Sequence, residues 1–175
     1  MSASDSLHYW LCCEIARWLK NGKIGFKYEG RCKYVAVELV VYGAENPDVW
    51  ACYSMATVVI EVKTSHADFL ADQKKYWRSK EAEDWQAGNY RAYCAPKGII
   101  SEDELPEKWG LIEWDSSAKS FVVTKWPPKL KPTNHADLII LQSLMRREGF
   151  KQKIYNYREG APVVGKSTEF QPKLF

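Results

Sequence analysis

Between residues 6 and 20, SLHYWLCCEIARWLK, the apolar positions Leu7, Trp10, Leu11, Ile15, Trp18 and Leu19 recur three and four apart. That spacing predicts an amphipathic helix, closed by Asn21-Gly22. The pattern then changes. Residues 33–42, KYVAVELVVY, form a Val-rich run that reads as a strand, and Gly43 to Pro47 is a turn-forming cluster. Residues 48–54 and 57–63 read as two more strands, with Ser54 and Met55 in the connection. Helical spacing returns over 66–79. Ser65 is its N-cap, and Asp68 follows at the capping-box distance. NYRAYCA, residues 89–95, is a strand stopped by Pro96.

Further on, SEDELPEKW reads as a loop with one helical turn, and GLIEWD and SFVVTKW flank Ser116 to Lys119 as a hairpin. Pro127, Pro128 and Pro132 stiffen the connection to a last helix, 135–148, with Asn134 as cap and Gly149 just past its end. Residues 150–175 are polar and weakly periodic, and an extended or partly disordered tail is expected behind a domain of residues 1–149. Three strands in a row pair antiparallel, and the strand after helix 66–79 pairs parallel through a crossover. The expected fold is therefore α/β, a mixed sheet flanked by helices.

Composition narrows this picture only a little. The hydrophobic share of 46%, with eight Trp and ten Tyr, is enough for a substantial core in one domain of 175 residues. The net charge of +3 permits nucleic-acid contact without arguing for it. The five cysteines include no CxxC pair and read as reduced thiols of a cytoplasmic protein, with neither disulfide frame nor zinc site. No secretory signal or membrane-length apolar run is present, so a membrane partner is not expected.

The charged end of the third strand carries the candidate chemistry. Alternation puts Glu61 and Lys63 on one strand face and Val62 on the other. A hairpin centred between Ser54 and Met55 pairs positions that sum to 109, which sets Asp48 opposite Glu61. Directly opposed side chains stand roughly 5 Å apart at Cβ. Two facing carboxylates repel unless positive charge lies between them. A divalent metal with oxygen ligands, Mg²⁺ or Mn²⁺, supplies it, and Lys63 projects beside the same point. Such a site suits phosphodiester hydrolysis.

Pro47-Asp48 followed by Glu61-Val62-Lys63 resembles the PD-(D/E)XK nuclease superfamily, whose core has a helix, a three-stranded meander, a helix and a further strand. The closer likeness is to MmcB-type DNA-repair nucleases. It rests on Ser65, Ala67, Asp68, Phe69 and Leu70 after the ExK strand, on Asp72 and Lys74, and on YRAYCAP and LPEKWGLIEWD downstream, over roughly residues 48–115. The resemblance implies a restriction-endonuclease-like fold and a divalent-metal-dependent DNA nuclease. Asp48, Glu61 and the Val62 carbonyl would hold the metal, and Lys63 would be the catalytic lysine.

A first-helix Glu near the metal is common in that superfamily. Glu14 is the candidate, and a half-exposed structural acid is the other reading. Gln73 sits where relatives keep a Gln or Lys. Lys74, Lys75, Arg78 and Lys80 make the helix after ExK basic on its solvent side. Phosphate contact and a merely solvated face are both open for them. His8 carries no assigned role; His66 is either a loop residue or one that touches the site, and Glu38 is either an exposed strand-face acid or, facing inward, a residue that needs a partner and can serve the site. Some superfamily members have lost activity, so a module that binds DNA or a partner protein without cutting is the alternative. Beyond residue 125 three uses stay open: a specificity element, a homodimer surface, or an arm for a protein partner.

Overall fold

The structure, a computed structural model, describes residues 3–21, 32–53, 56–131 and 134–149. The chain divides into two compact units, residues 1–140 and 141–175. The first holds α1 (Ala3–Lys20), β1 (Tyr34–Val37), β2 (Val49–Cys52), β3 (Thr57–Val62), α2 (His66–Asp72), β4 (Tyr90–Pro96), β5 (Gly110–Asp115) and β6 (Ser120–Lys125). It also holds the start of α3 (Asn134–Arg147). The described part of the second unit is the rest of that helix, ended by Gly149 at φ +84°, the left-handed stop expected there. The expected tail, 150–175, lies outside the described residues.

The six strands lie in sequence order in one sheet. β1–β2, β2–β3 and β5–β6 are antiparallel, and β3–β4 and β4–β5 are parallel. The class is thus α/β with a mixed sheet, as the pattern predicts. β3 lies inside the sheet and all six of its residues are buried, which is why its sequence runs Val-Val-Ile with no polar alternation until Glu61. On one face Leu11, Cys12, Ile15 and Leu19 of α1 pack on Val49, Ala51, Val58, Ile60, Val62, Ala92 and Cys94. On the other, Phe69 of α2 joins Tyr93, Leu105, Trp109 and Leu111.

Two elements depart from expectation. The strand foreseen over 33–42 keeps its ladder only through Val37, because Glu38 turns the chain at φ +48°. Leu39 and Val41 still point inward and Val40 and Tyr42 outward, which is the alternation that suggested a longer strand. The helix foreseen over 66–79 ends at Asp72 and gives way to two 3₁₀ turns, Tyr76–Arg78 and Lys80–Trp85. Its start is as expected, with Ser65 Oγ accepting from the Asp68 N–H. Its end is set by charge burial. Asp72 is enclosed, and the chain bends so that Arg78 can turn back to it.

Gly110 marks a close crossing. A Cβ there would stand 2.5 Å from Pro127 Cδ and 2.7 Å from the Lys125 carbonyl oxygen. Gly110→Ala is expected to destabilise by about 1–3 kcal/mol through overpacking. Urea unfolding followed by circular dichroism reads this as a lower midpoint at constant slope. An unchanged midpoint would mean that the Pro127 segment yields freely.

Candidate functional site

The β2–β3 register pairs Val49 with Ile60 and Trp50 with Val59, so paired positions sum to 109 as expected. One step further, Asp48 falls opposite Glu61. The β1–β2 register pairs Val37 with Val49, and its next step brings Glu38 opposite Asp48, where the Glu38 N–H donates to the Asp48 carbonyl at 2.8 Å. Three acids from three strand ends therefore stand in a row across the sheet. The row is a consequence of pairing, since no two of the three lie within nine residues of one another.

Lys63 closes the row. Its backbone N–H extends the parallel ladder to the Cys94 carbonyl at 2.9 Å. Its Nζ lies 3.3 Å from Glu61 Oε2, 3.8 Å from Asp48 Oδ2 and 3.2 Å from Asp72 Oδ1. Asp48 Oδ2 also accepts the Val62 N–H at 2.7 Å, which ties the carboxylate to the third expected donor residue. Asp48, Glu61, Val62 and Lys63 are thus brought together. Glu61 and Lys63 are almost fully buried, and Asp48 keeps 22% of its side chain exposed.

The charges settle unequally. Burial and the neighbouring Asp48 raise the Glu61 carboxyl to about 7, against the pull of Arg78 and Lys63. Burial works to raise Asp48 as well, but His8, Lys63 and the Val62 N–H hold it below the usual carboxylate range. Burial likewise works to lower Lys63, and the three acids around it outweigh this and leave it raised. Asp72 is held well below its ordinary value. Its own burial opposes the shift, but Arg78 and Lys63 prevail.

Glu14 does not join this group through any described interaction. It pairs with Arg17 one turn along α1. The α1 residue that reaches Asp48 is His8, with Nε2 3.4 Å from Oδ2, and the hydrogen bond raises the imidazole above its ordinary pKa. His8 lies six residues before Glu14, nearer the helix start, and a lone His next to Tyr and Trp offers no sequence signal for this.

The basic helix face also needs correction. Arg78 does not face solvent: its side chain is 7% exposed and binds Asp72, Glu45 and Glu61. The expected solvent-facing cation is instead a largely buried one held by three carboxylates. Lys75 is exposed but pairs with Asp72 at 2.7 Å. Gln73 donates to the Glu104 carbonyl at 3.3 Å, and Lys74 faces solvent. Neither Asp72 nor Glu45 stands in a sequence pattern that marks it as the partner of a buried arginine. Glu45 reads as a turn residue, yet it is buried and bound by Arg91 through two bonds of 2.7 and 2.8 Å.

Gln73 and Arg78 open onto a cleft of roughly 900 Å³ that also meets Lys80, Lys108, Lys129 and Trp109. The Arg78 and Arg91 guanidinium groups both lie over the Trp109 ring there, at 4.7 and 4.6 Å, and Tyr93 stacks on it at 4.4 Å.

No protein-family profile matches the chain, and no curated protein matches it. Among solved structures it is similar to a protein of unknown function from Silicibacter pomeroyi. The identity is 21%, the match covers 75% of this chain and 84% of that one, and the TM-score is 0.48. Among the described residues no helix is long and apolar enough to cross a membrane.

Proposed function

We propose that this chain is a divalent-metal-dependent DNA nuclease of the PD-(D/E)XK type. The observation that carries the reading is the pairing of Asp48 with Glu61 across β2 and β3, with Lys63 Nζ within 3.8 Å of both carboxylates. Asp48, Glu61 and the Val62 carbonyl form an oxygen-only donor set, which suits Mg²⁺ or Mn²⁺. When bound, such an ion polarises a phosphodiester and lowers the pKa of a coordinated water.

The protein's own residues supply the rest. Asp48 stays ionised and is oriented by the Val62 N–H and by His8. Lys63 stays protonated and offers positive charge to a phosphate oxygen in the transition state. Asp72 positions that ammonium from behind. The setting would be DNA repair, restriction or phage DNA processing.

One observation favours the alternative, a nuclease-like module that binds without cutting. Lys63 is 3% exposed and is already engaged by three acids, so a phosphate must displace part of that network to reach it. The test is cleavage of labelled single-stranded, duplex and flapped DNA with Mg²⁺ and with Mn²⁺. Cutting by the parent protein that falls at least about 100-fold in Lys63→Ala is expected. DNA binding without cutting in either metal would select the binding module.

A further inference from the structure

We propose that His8, Cys12 and Glu38 form a second metal site, chemically distinct from the Asp48–Glu61 pair, that takes a borderline cation of the Zn²⁺ class. His8 and Cys12 are four apart on α1 and so share a face, with Nδ1 3.8 Å from Sγ. Glu38 arrives from the end of β1, and its Oε1 lies 3.6 Å from the same Nδ1. The three donor atoms all lie within 4.8 Å of one another. Ligand atoms around a tetrahedral zinc stand roughly 3.3–3.8 Å apart, given bonds of about 2.0–2.3 Å. Small side-chain rotations therefore suffice to close the set.

Two further observations aim these groups. The other imidazole nitrogen, Nε2, lies 3.4 Å from Asp48 Oδ2. A proton held there leaves the Nδ1 lone pair facing Cys12 and Glu38, the carboxylate–histidine arrangement that orients metal-bound imidazoles. Glu38 is also held at φ +48°, a conformation that side chains rarely adopt, and its N–H is anchored on the Asp48 carbonyl. That turn is what carries its carboxylate to His8.

Nitrogen, sulfur and oxygen together select Zn²⁺ over Mg²⁺. Three protein ligands leave a fourth position for water, and Glu38, 48% exposed, keeps that side open. Burial keeps the Cys12 thiol protonated without metal, so binding releases its proton to solvent as the S–metal bond forms.

Co²⁺ added to the full chain serves as the probe, with Zn²⁺ as competitor. A sulfur-to-cobalt charge-transfer band that Zn²⁺ displaces is expected. It should vanish in Cys12→Ala and persist in Cys13→Ala. Because Cys12 is a core residue, Glu38→Gln, altered at an exposed carboxylate, provides the second variant. It should keep the fold by circular dichroism and weaken cobalt binding by at least about 10-fold, since loss even of a group that only supports a ligand costs that much. Absence of the band in the parent, its survival in Cys12→Ala, its loss in Cys13→Ala, or unchanged affinity in Glu38→Gln would each overturn the site. Glu61→Gln, which removes a ligand of the proposed nuclease centre, should leave the band intact, so the two proposals fail separately.

Discussion

Replacing Glu45 with Ala is expected to lower folding stability by about 3–5 kcal/mol, the cost of breaking a buried ion pair from one side. Glu45 is 1% exposed. It accepts two bonds from Arg91, one from Arg78 and one from the Ala87 N–H. Arg91 is itself fully buried in β4, and its remaining described bond goes to the Ala87 carbonyl at 2.7 Å. Removal of Glu45 leaves a buried guanidinium against the Trp109 ring without its carboxylate partner. Loss of charge at exposed Glu107, used as a control, should change little. Equilibrium urea unfolding of the two variants decides the matter. A Glu45→Ala protein as stable as its parent would mean that Arg91 finds another acceptor or reaches solvent. Because Arg78 bridges Glu45 to Glu61 and Asp72, the same variant should also loosen the candidate site.

The second large effect has the opposite sign. Glu61→Gln should stabilise the metal-free protein at pH 8, by an amount on the order of 3 kcal/mol. Burial and Asp48 raise this carboxyl from 4.5 to about 7. Between those values the folded protein holds a proton that the unfolded chain has released. Stability therefore falls as pH rises through that window, and the full penalty stands above it. The amide carries no such penalty, so the two proteins should differ most at pH 8 and converge towards pH 4.5. Thermal or urea unfolding in the presence of a chelator, at a series of pH values, tests this. Should Glu61→Gln prove less stable than its parent at pH 8, Lys63 and Arg78 more than offset the burial of that charge. Charge crowding of this kind is a recurrent feature of functional sites.

The candidate site was legible where local pattern and pairing arithmetic suffice. Glu61 and Lys63 share a strand parity. The short connection between two apolar runs then leaves one simple register for Asp48. The N-cap at Ser65 and the hairpin of β5 and β6 follow from the same short-range rules, while the parallel pairing of β4 with β5 is not among the pairings the pattern predicts. His8 could not be found that way. Its approach to Asp48 depends on how α1 lies along the sheet, and helix periodicity says which face is apolar but not which polar residue passes a given strand end. Arg78 failed for a related reason. Its basic neighbours suggested a solvent face, while the structure turns it inward to acids 6, 17 and 33 positions away in sequence.

The amino-acid sequence by itself therefore determined the order of most elements, the antiparallel pairing of β1–β3 and of β5 with β6, and the register that sets Asp48 opposite Glu61. These rest on periods of 2 and 3.6 and on turn chemistry, all of which act over a few residues. Only the tertiary structure decided that Glu38 turns at the end of β1, that α2 stops at Asp72, and that Glu45, Arg78 and Arg91 form a buried network with Trp109. Those outcomes depend on satisfying buried charges. A buried carboxylate or guanidinium must find its partner wherever the packed chain brings one, and sequence distance does not enter that requirement.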